Sequence, residues 1–142
     1  MQVNTYLFFN GECEAAFKFY AQTLHGKITA MMPHEGTPAA DHVPAGWRNK
    51  ILHASLQIGD TVLMASDAPP DRAAGAAQGF SVTINLEDPA EAERIFTALA
   101  EGGTVRMPFG QTFFALRFGM LVDRFGTPWM ILCEEAQAAS RK

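Results

Sequence analysis

Residues 80–103 read FSVTINLEDPAEAERIFTALAEGG, and this stretch decides the fold. Phe80, Val82, Ile84 and Leu86 alternate with Ser81, Thr83 and Asn85, the period-two pattern of a strand with one buried face. At Asp88 the period changes. Asp88-Pro89-Ala90-Glu91 supplies an N-cap, a proline at the first helical position and a capping-box glutamate. Ala92, Ile95, Phe96 and Leu99 then share one helical face, and Gly102-Gly103 ends the helix. Downstream, short strands are predicted at Thr104–Met107, Phe113–Val122 and Pro128–Cys133.

The same order of elements precedes this stretch. Val3–Phe9 reads as a strand closed by Asn10-Gly11, and Cys13, Phe17, Tyr20 and Leu24 form one face of a helix over 12–24. His25 is expected to cap that helix, with Gly26 closing it. Lys27–Met32, Lys50–Ile58 and Thr61–Ser66 read as strands, the last two joined by a tight turn at Gly59-Asp60. Residues 68–78 are small and Pro-rich, as in a linker. The chain is thus a single domain made of module 1 (1–67), linker (68–78) and module 2 (79–135), with a short tail (136–142). One helix for four strands covers one sheet face and leaves the other to form a concavity. The expected class is α+β, tandem βαβββ modules forming a cupped mixed β-sheet.

Composition narrows the function. The 142 residues are 48% hydrophobic and 18% charged, which is globular. Eleven Lys and Arg against fifteen Asp and Glu give a net charge of −4, which argues against nucleic acid as a partner. No apolar run approaches the ~20 residues of a membrane span. The start, MQVNTYLFFNGEC, has no basic region and no apolar core of a secretory signal, so a cytoplasmic location is expected. Cys13 and Cys133 read as reduced, buried thiols. The sequence has no GxSxG, no Walker-type phosphate loop, no dinucleotide fingerprint and no close carboxylate pair, so whether it is an enzyme stays open.

Four segments carry a resemblance: FNGECEAAFKFY (9–20), HASLQIGDTVLMASD (53–67), AEGGTVRMP (100–108) and FGMLVDRFGTPWMI (118–131). With the tandem βαβββ order, they make the chain similar to the vicinal oxygen chelate superfamily of glyoxalase I, extradiol dioxygenases and bleomycin- or fosfomycin-resistance proteins. Within it the chain resembles the PhnB-like branch, whose members have also been labelled demethylubiquinone methyltransferases. In metal-dependent relatives the ligands come from the first and last strands of each module. The resemblance puts those positions at Thr5, Met64, Ser81 and Met130, two hydroxyls and two thioethers, a poor set for a divalent transition metal. No metal and no cofactor are therefore expected.

The resemblance also implies a ligand-binding concave lining of Thr5, Leu7, Phe9, His53, Ser55, Gln57 and Met64, then Ser81, Thr83, Asn85, Arg117 and Met130. Arg117 would pair with a carboxylate or phosphate of a ligand, or else lie at the surface or pair with Asp123. His53 is either a hydrogen-bonded structural histidine or a ligand contact. The segment 33–49, carrying Trp47 and Arg48, is a lid or a disordered excursion. Its His34 and His42, with Glu35 and Asp41, read as solvated polar surface. The function implied is metal-independent binding of a small polar or anionic organic molecule by a homodimer, in resistance or sequestration. The alternatives are a glyoxalase-like metal-dependent lyase, isomerase or dioxygenase with a non-standard site made by His53 and loop residues, and an oligomeric interaction module without a small ligand.

Overall fold

The computed structural model describes residues 1–72, 75–113 and 115–134, and the chain divides into two compact units after Gly75. Ala73 and Ala74 of the expected linker, Phe114, Glu135 and the tail 136–142 lie outside the described residues.

The first unit runs β1 (Thr5–Phe9), α1 (Cys13–Leu24), β2 (Lys27–Pro33), β3 (Ile51–Ile58) and β4 (Thr61–Asp67). Its sheet order is β1-β4-β3-β2, with β1 parallel to β4 and the other pairs antiparallel. The helix forms where the i, i+4, i+7 stripe predicts it, because Cys13, Phe17 and Tyr20 all bury fully. They pack on Leu7 and Phe9 of β1, Ala54 and Leu56 of β3, and Leu63 and Ala65 of β4, all buried. Phe9 meets Phe17 edge-on, centroids 6.4 Å apart. His25 ends α1 in the left-handed region (φ 56°), its N–H donating to the Ala21 carbonyl. Strand β4 extends one residue past the expected Ser66. Beyond it Ala68 is buried and its N–H donates to the Phe9 carbonyl at 2.7 Å, so the expected linker begins as a continuation of the sheet ladder.

The segment 33–49 folds into two single-turn 3₁₀ helices, Pro38–His42 and Ala45–Trp47. Proline opens the first, and Thr37 caps it, its hydroxyl accepting from the Ala39 N–H at 3.1 Å.

The second unit repeats the plan with β5 (Val82–Leu86), α2 (Pro89–Ala100), β6 (Thr104–Gly110), β7 (Arg117–Val122) and β8 (Pro128–Cys133). Its order, β5-β8-β7-β6, again pairs the first and last strands in parallel. Asp88 caps α2, its carboxylate accepting from the Ala90 N–H at 3.0 Å, while Glu91 grips Arg94 one turn on. Strand β7 starts at Arg117 rather than Phe113. A turn intervenes: the Ala115 N–H donates to the Thr112 hydroxyl at 3.1 Å. Among the described residues no helix is long and apolar enough to cross a membrane.

Candidate functional site

In each unit one sheet face packs on the helix and the other turns away from it. The second face is where side chains stand available for chemistry. In the first unit, register places Tyr6 opposite Met64, Met64 opposite Ser55, and His53 opposite Met32. His53, Ser55, Gln57 and Met64 therefore share this face. Thr5, Leu7 and Phe9 do not. They alternate with Tyr6 and Phe8, and Leu7 and Phe9 are buried beneath α1. The lining assigned to Leu7 and Phe9 belongs instead to Tyr6 and Phe8, because Phe17 and Tyr20 draw the odd-numbered side chains of β1 into the core.

Tyr6 and His53 form a pair on this face. The Tyr6 hydroxyl hydrogen-bonds Nδ1 of His53 at 3.1 Å, and the rings lie 5.8 Å apart. Phe8 leans on Tyr6 at 5.1 Å and is 59% exposed. Gln57 turns back onto the Gly59 carbonyl at 3.2 Å.

In the second unit Thr83 lies opposite Met130 and its hydroxyl reaches the Met130 sulfur at 3.8 Å. Ser81 and Asn85 alternate onto the same face. Arg117 does not join them. It pairs across strands with Cys133 and shares the side of Gly119 and Leu121, which faces α2. Gly119 fixes this register, since a Cβ there would come within 2.5 Å of the Phe96 ring. Arg117 is exposed at the strand end and donates to the Leu116 carbonyl at 2.8 Å.

The guanidinium near the expected lining is Arg106. Strand β6 pairs Val105 with Leu121 and Met107 with Met120, so Arg106 is the extra residue of a bulge, a device that re-aims a side chain. It helps line a cavity of about 500 Å³ within this unit, together with Ser81, Met120, Met130 and Phe80. Arg106 makes no hydrogen bond or ion pair among the described residues. Sequence alternation missed it because the bulge breaks the alternation at that residue.

Elsewhere the structure gives other placements. Trp47 packs on the β1–α1 turn, its ring 3.3 Å from where a Cβ on Gly11 would stand. The Arg48 carbonyl accepts from the Glu35 N–H at 2.8 Å. Phe109 stacks on Phe96 of α2 at 5.2 Å. His34 is not solvated surface: it is 3% exposed, with Nδ1 at 2.9 Å from the Lys50 carbonyl. Cys13 and Cys133 are buried free thiols. Burial, then the nearby Asp67 and Glu14 charges, push the Cys13 thiol up to about 12, and burial also raises Cys133. Neither is a nucleophile at neutral pH.

A divalent metal of the superfamily kind fits these residues poorly. Beside Met64 stand a phenol and one imidazole, and beside Met130 stands a hydroxyl. Among the described residues no three His, Cys, Asp or Glu side chains gather. No reaction step through a metal follows from this donor set.

Comparison with known proteins follows the same lines. Residues 1–132 match the family described as 3-demethylubiquinone-9 3-methyltransferase. The protein YjdN of Escherichia coli (strain K12) is 33% identical over 139 residues, covering 92% of this chain and 94% of YjdN. The crystal structure of protein PA1353 from Pseudomonas aeruginosa is 48% identical, with a TM-score of 0.87 over 95% of this chain and 98% of that one. The fold alone is shared with a PhnB protein from Bacillus cereus (23% identical, TM-score 0.77, 94% and 99% covered). It is shared likewise with the fosfomycin resistance protein FosX from Mesorhizobium loti (10%, 0.60, 99% and 95%). The chain therefore belongs to the PhnB-like, 3-demethylubiquinone-9 3-methyltransferase-like family, and its tandem βαβββ units carry a glyoxalase/bleomycin-resistance-like fold.

Proposed function

We propose that this protein binds a small polar or anionic organic molecule without a metal, on the sheet faces turned away from the helices, as a cytoplasmic homodimer in a resistance- or sequestration-type role. The observation that carries this reading is the Arg106 guanidinium, without a partner among the described residues, on the wall of the cavity of about 500 Å³ beside Ser81 and Met130. That volume lies within the usual range of small-molecule sites. A planar guanidinium is the side chain best matched to a carboxylate or phosphate, and adaptable Met side chains suit the rest of a ligand. The Tyr6–His53 pair offers the first unit's polar contact.

Methyl transfer, which the family's description names, gains no support from the geometry of the described residues. One way to hold an anionic end of a cofactor is with free N–H donors at a strand-to-helix turn. At the β1–α1 turn the Gly11 and Cys13 N–H groups already donate to the Asp67 carboxylate, at 2.8 and 2.9 Å.

The test is a thermal-shift screen of metabolites against the whole protein, with Arg106→Gln and Arg117→Gln in parallel. A hit among small anions should weaken about tenfold in Arg106→Gln and stay unchanged in Arg117→Gln, a difference of about 1.4 kcal/mol. If Arg117→Gln is the damaging change, or hits ignore both, the reading is wrong. Sedimentation should give twice the 15.5 kDa chain mass; a monomer at all concentrations removes the homodimer.

A further inference from the structure

We infer that the first unit holds a second ligand site, for a small monocarboxylate with an apolar body, enclosed by the 33–49 segment. It belongs to a different unit from the Arg106 cavity, shares no residue with it and does not depend on it. A cavity of about 480 Å³ lies between this segment and the ends of β1, β3 and β4. Phe8, Leu52, Val43 and Pro69 supply carbon walls, and His34, His42, Ser66 and Arg72 supply the polar contacts.

His34 is built into the cavity wall, and His42 and Arg72 stand at its exposed rim. His34 is nearly fully buried and held from two sides: Nδ1 bonds the Lys50 carbonyl at 2.9 Å, and its own carbonyl accepts from the Thr37 hydroxyl at 2.7 Å. Its other ring nitrogen has no partner among the described residues. His42, at the end of the first 3₁₀ turn, makes no hydrogen bond there either. Arg72 stands 4.0 Å from Asp71, with both side chains mostly exposed, a pair too weak to occupy its guanidinium.

Asp67 also lines this cavity and would repel an anion if its charge were open. Its repulsion is reduced, because both oxygens are turned onto three N–H donors, those of Gly11, Cys13 and Ile51 at 2.8 to 2.9 Å, whose dipoles offset part of the charge. Two of these donors lie at the start of α1, where the helix end itself favours negative charge. The groups left to meet the carboxylate are therefore the Arg72 guanidinium and the His42 ring, while His34, whose Nδ1–H donates to the Lys50 carbonyl, presents Nε2 as an acceptor to the rest of the ligand or to water. One permanent cation at the rim of the carbon walls matches one negative charge on an apolar body. A phosphate dianion would need a second cation.

Isothermal titration of the full chain with benzoate, benzyl alcohol and inorganic phosphate tests this. Benzoate should bind, and the other two should bind at least tenfold more weakly. Titrations run in the Arg106→Gln protein keep the other unit's cavity from contributing, and there Arg72→Gln and His42→Asn, both at exposed positions, should each weaken benzoate severalfold. Ala39→Phe, which fills the cavity, should abolish binding with the melting transition retained. The inference is overturned if benzoate fails to bind the Arg106→Gln protein up to about 10 mM, if benzyl alcohol binds it as well, if phosphate binds more tightly, or if Arg72→Gln leaves benzoate binding unchanged.

Discussion

The Asp67 carboxylate accepts from Gly11, Cys13 and Ile51, and so ties the β1–α1 turn to the start of β3. In the second unit Asp123 holds a more local turn, between β7 and β8, accepting from the Phe125 and Thr127 N–H groups and from Nε1 of Trp129. Both read in the sequence as ordinary turn or strand-end acids, because nothing local distinguishes a buried carboxylate from a solvated one. Asp67→Asn presents an N–H₂ group where at least one main-chain N–H needs an acceptor, so it should cost about 1–3 kcal/mol. A urea midpoint unchanged from wild type would show that the three bonds contribute little. Cys13 beside it gives a pH prediction. Its folded value of about 12 lies above the ordinary 9.0, so the protonated thiol is favoured by folding. Its contribution is complete below pH 9 and is lost as pH rises toward 12. Cys13→Ala should therefore show a shallower alkaline loss of stability than wild type in urea titrations; parallel curves would refute this.

Both helices were legible as elements because their apolar stripes and end signals agree, and Asp88 caps α2 as its position predicts. Asp88→Ala should lower stability by about 1 kcal/mol, read as a fall in melting temperature. Strand faces were harder. Tyr6-Leu7-Phe8-Phe9 is apolar at every position, so alternation could not choose which side faces the core; contact with Phe17 of α1 chose it. Near Arg117 the choice was made by Gly119, which lets β7 approach Phe96. Gly119→Ala should force that ring aside and cost about 1–3 kcal/mol, more than Gly110→Ala, where an added Cβ meets open space. Equal melting temperatures for the two variants would mean that the contact is not tight.

Across the whole chain, the donor chemistry predicts no stoichiometric transition metal after purification without chelator. Elemental analysis should find well under one atom per chain, and His53→Ala should not alter it. One retained metal per chain, lost in that variant, would restore the metal-dependent alternative. Sequence by itself determined the element order, both helices with the His25 end of α1 and the Asp88 cap of α2, the repeated βαβββ plan and the family, since these rest on local periodicity and contiguous motifs; the expected capping-box Glu91 instead grips Arg94. It also named His53, Ser55, Gln57 and Met64, whose clean alternation in β3 and β4 tells their face. Only the tertiary structure decided the rest: Tyr6 and Phe8 in place of Leu7 and Phe9, Arg106 in place of Arg117, and His34 inside rather than outside. Each of these depends on a contact between residues far apart in the chain, or on a bulge that shifts the register by one. A one-residue shift reverses every side chain on a strand, and the local pattern carries no record of it.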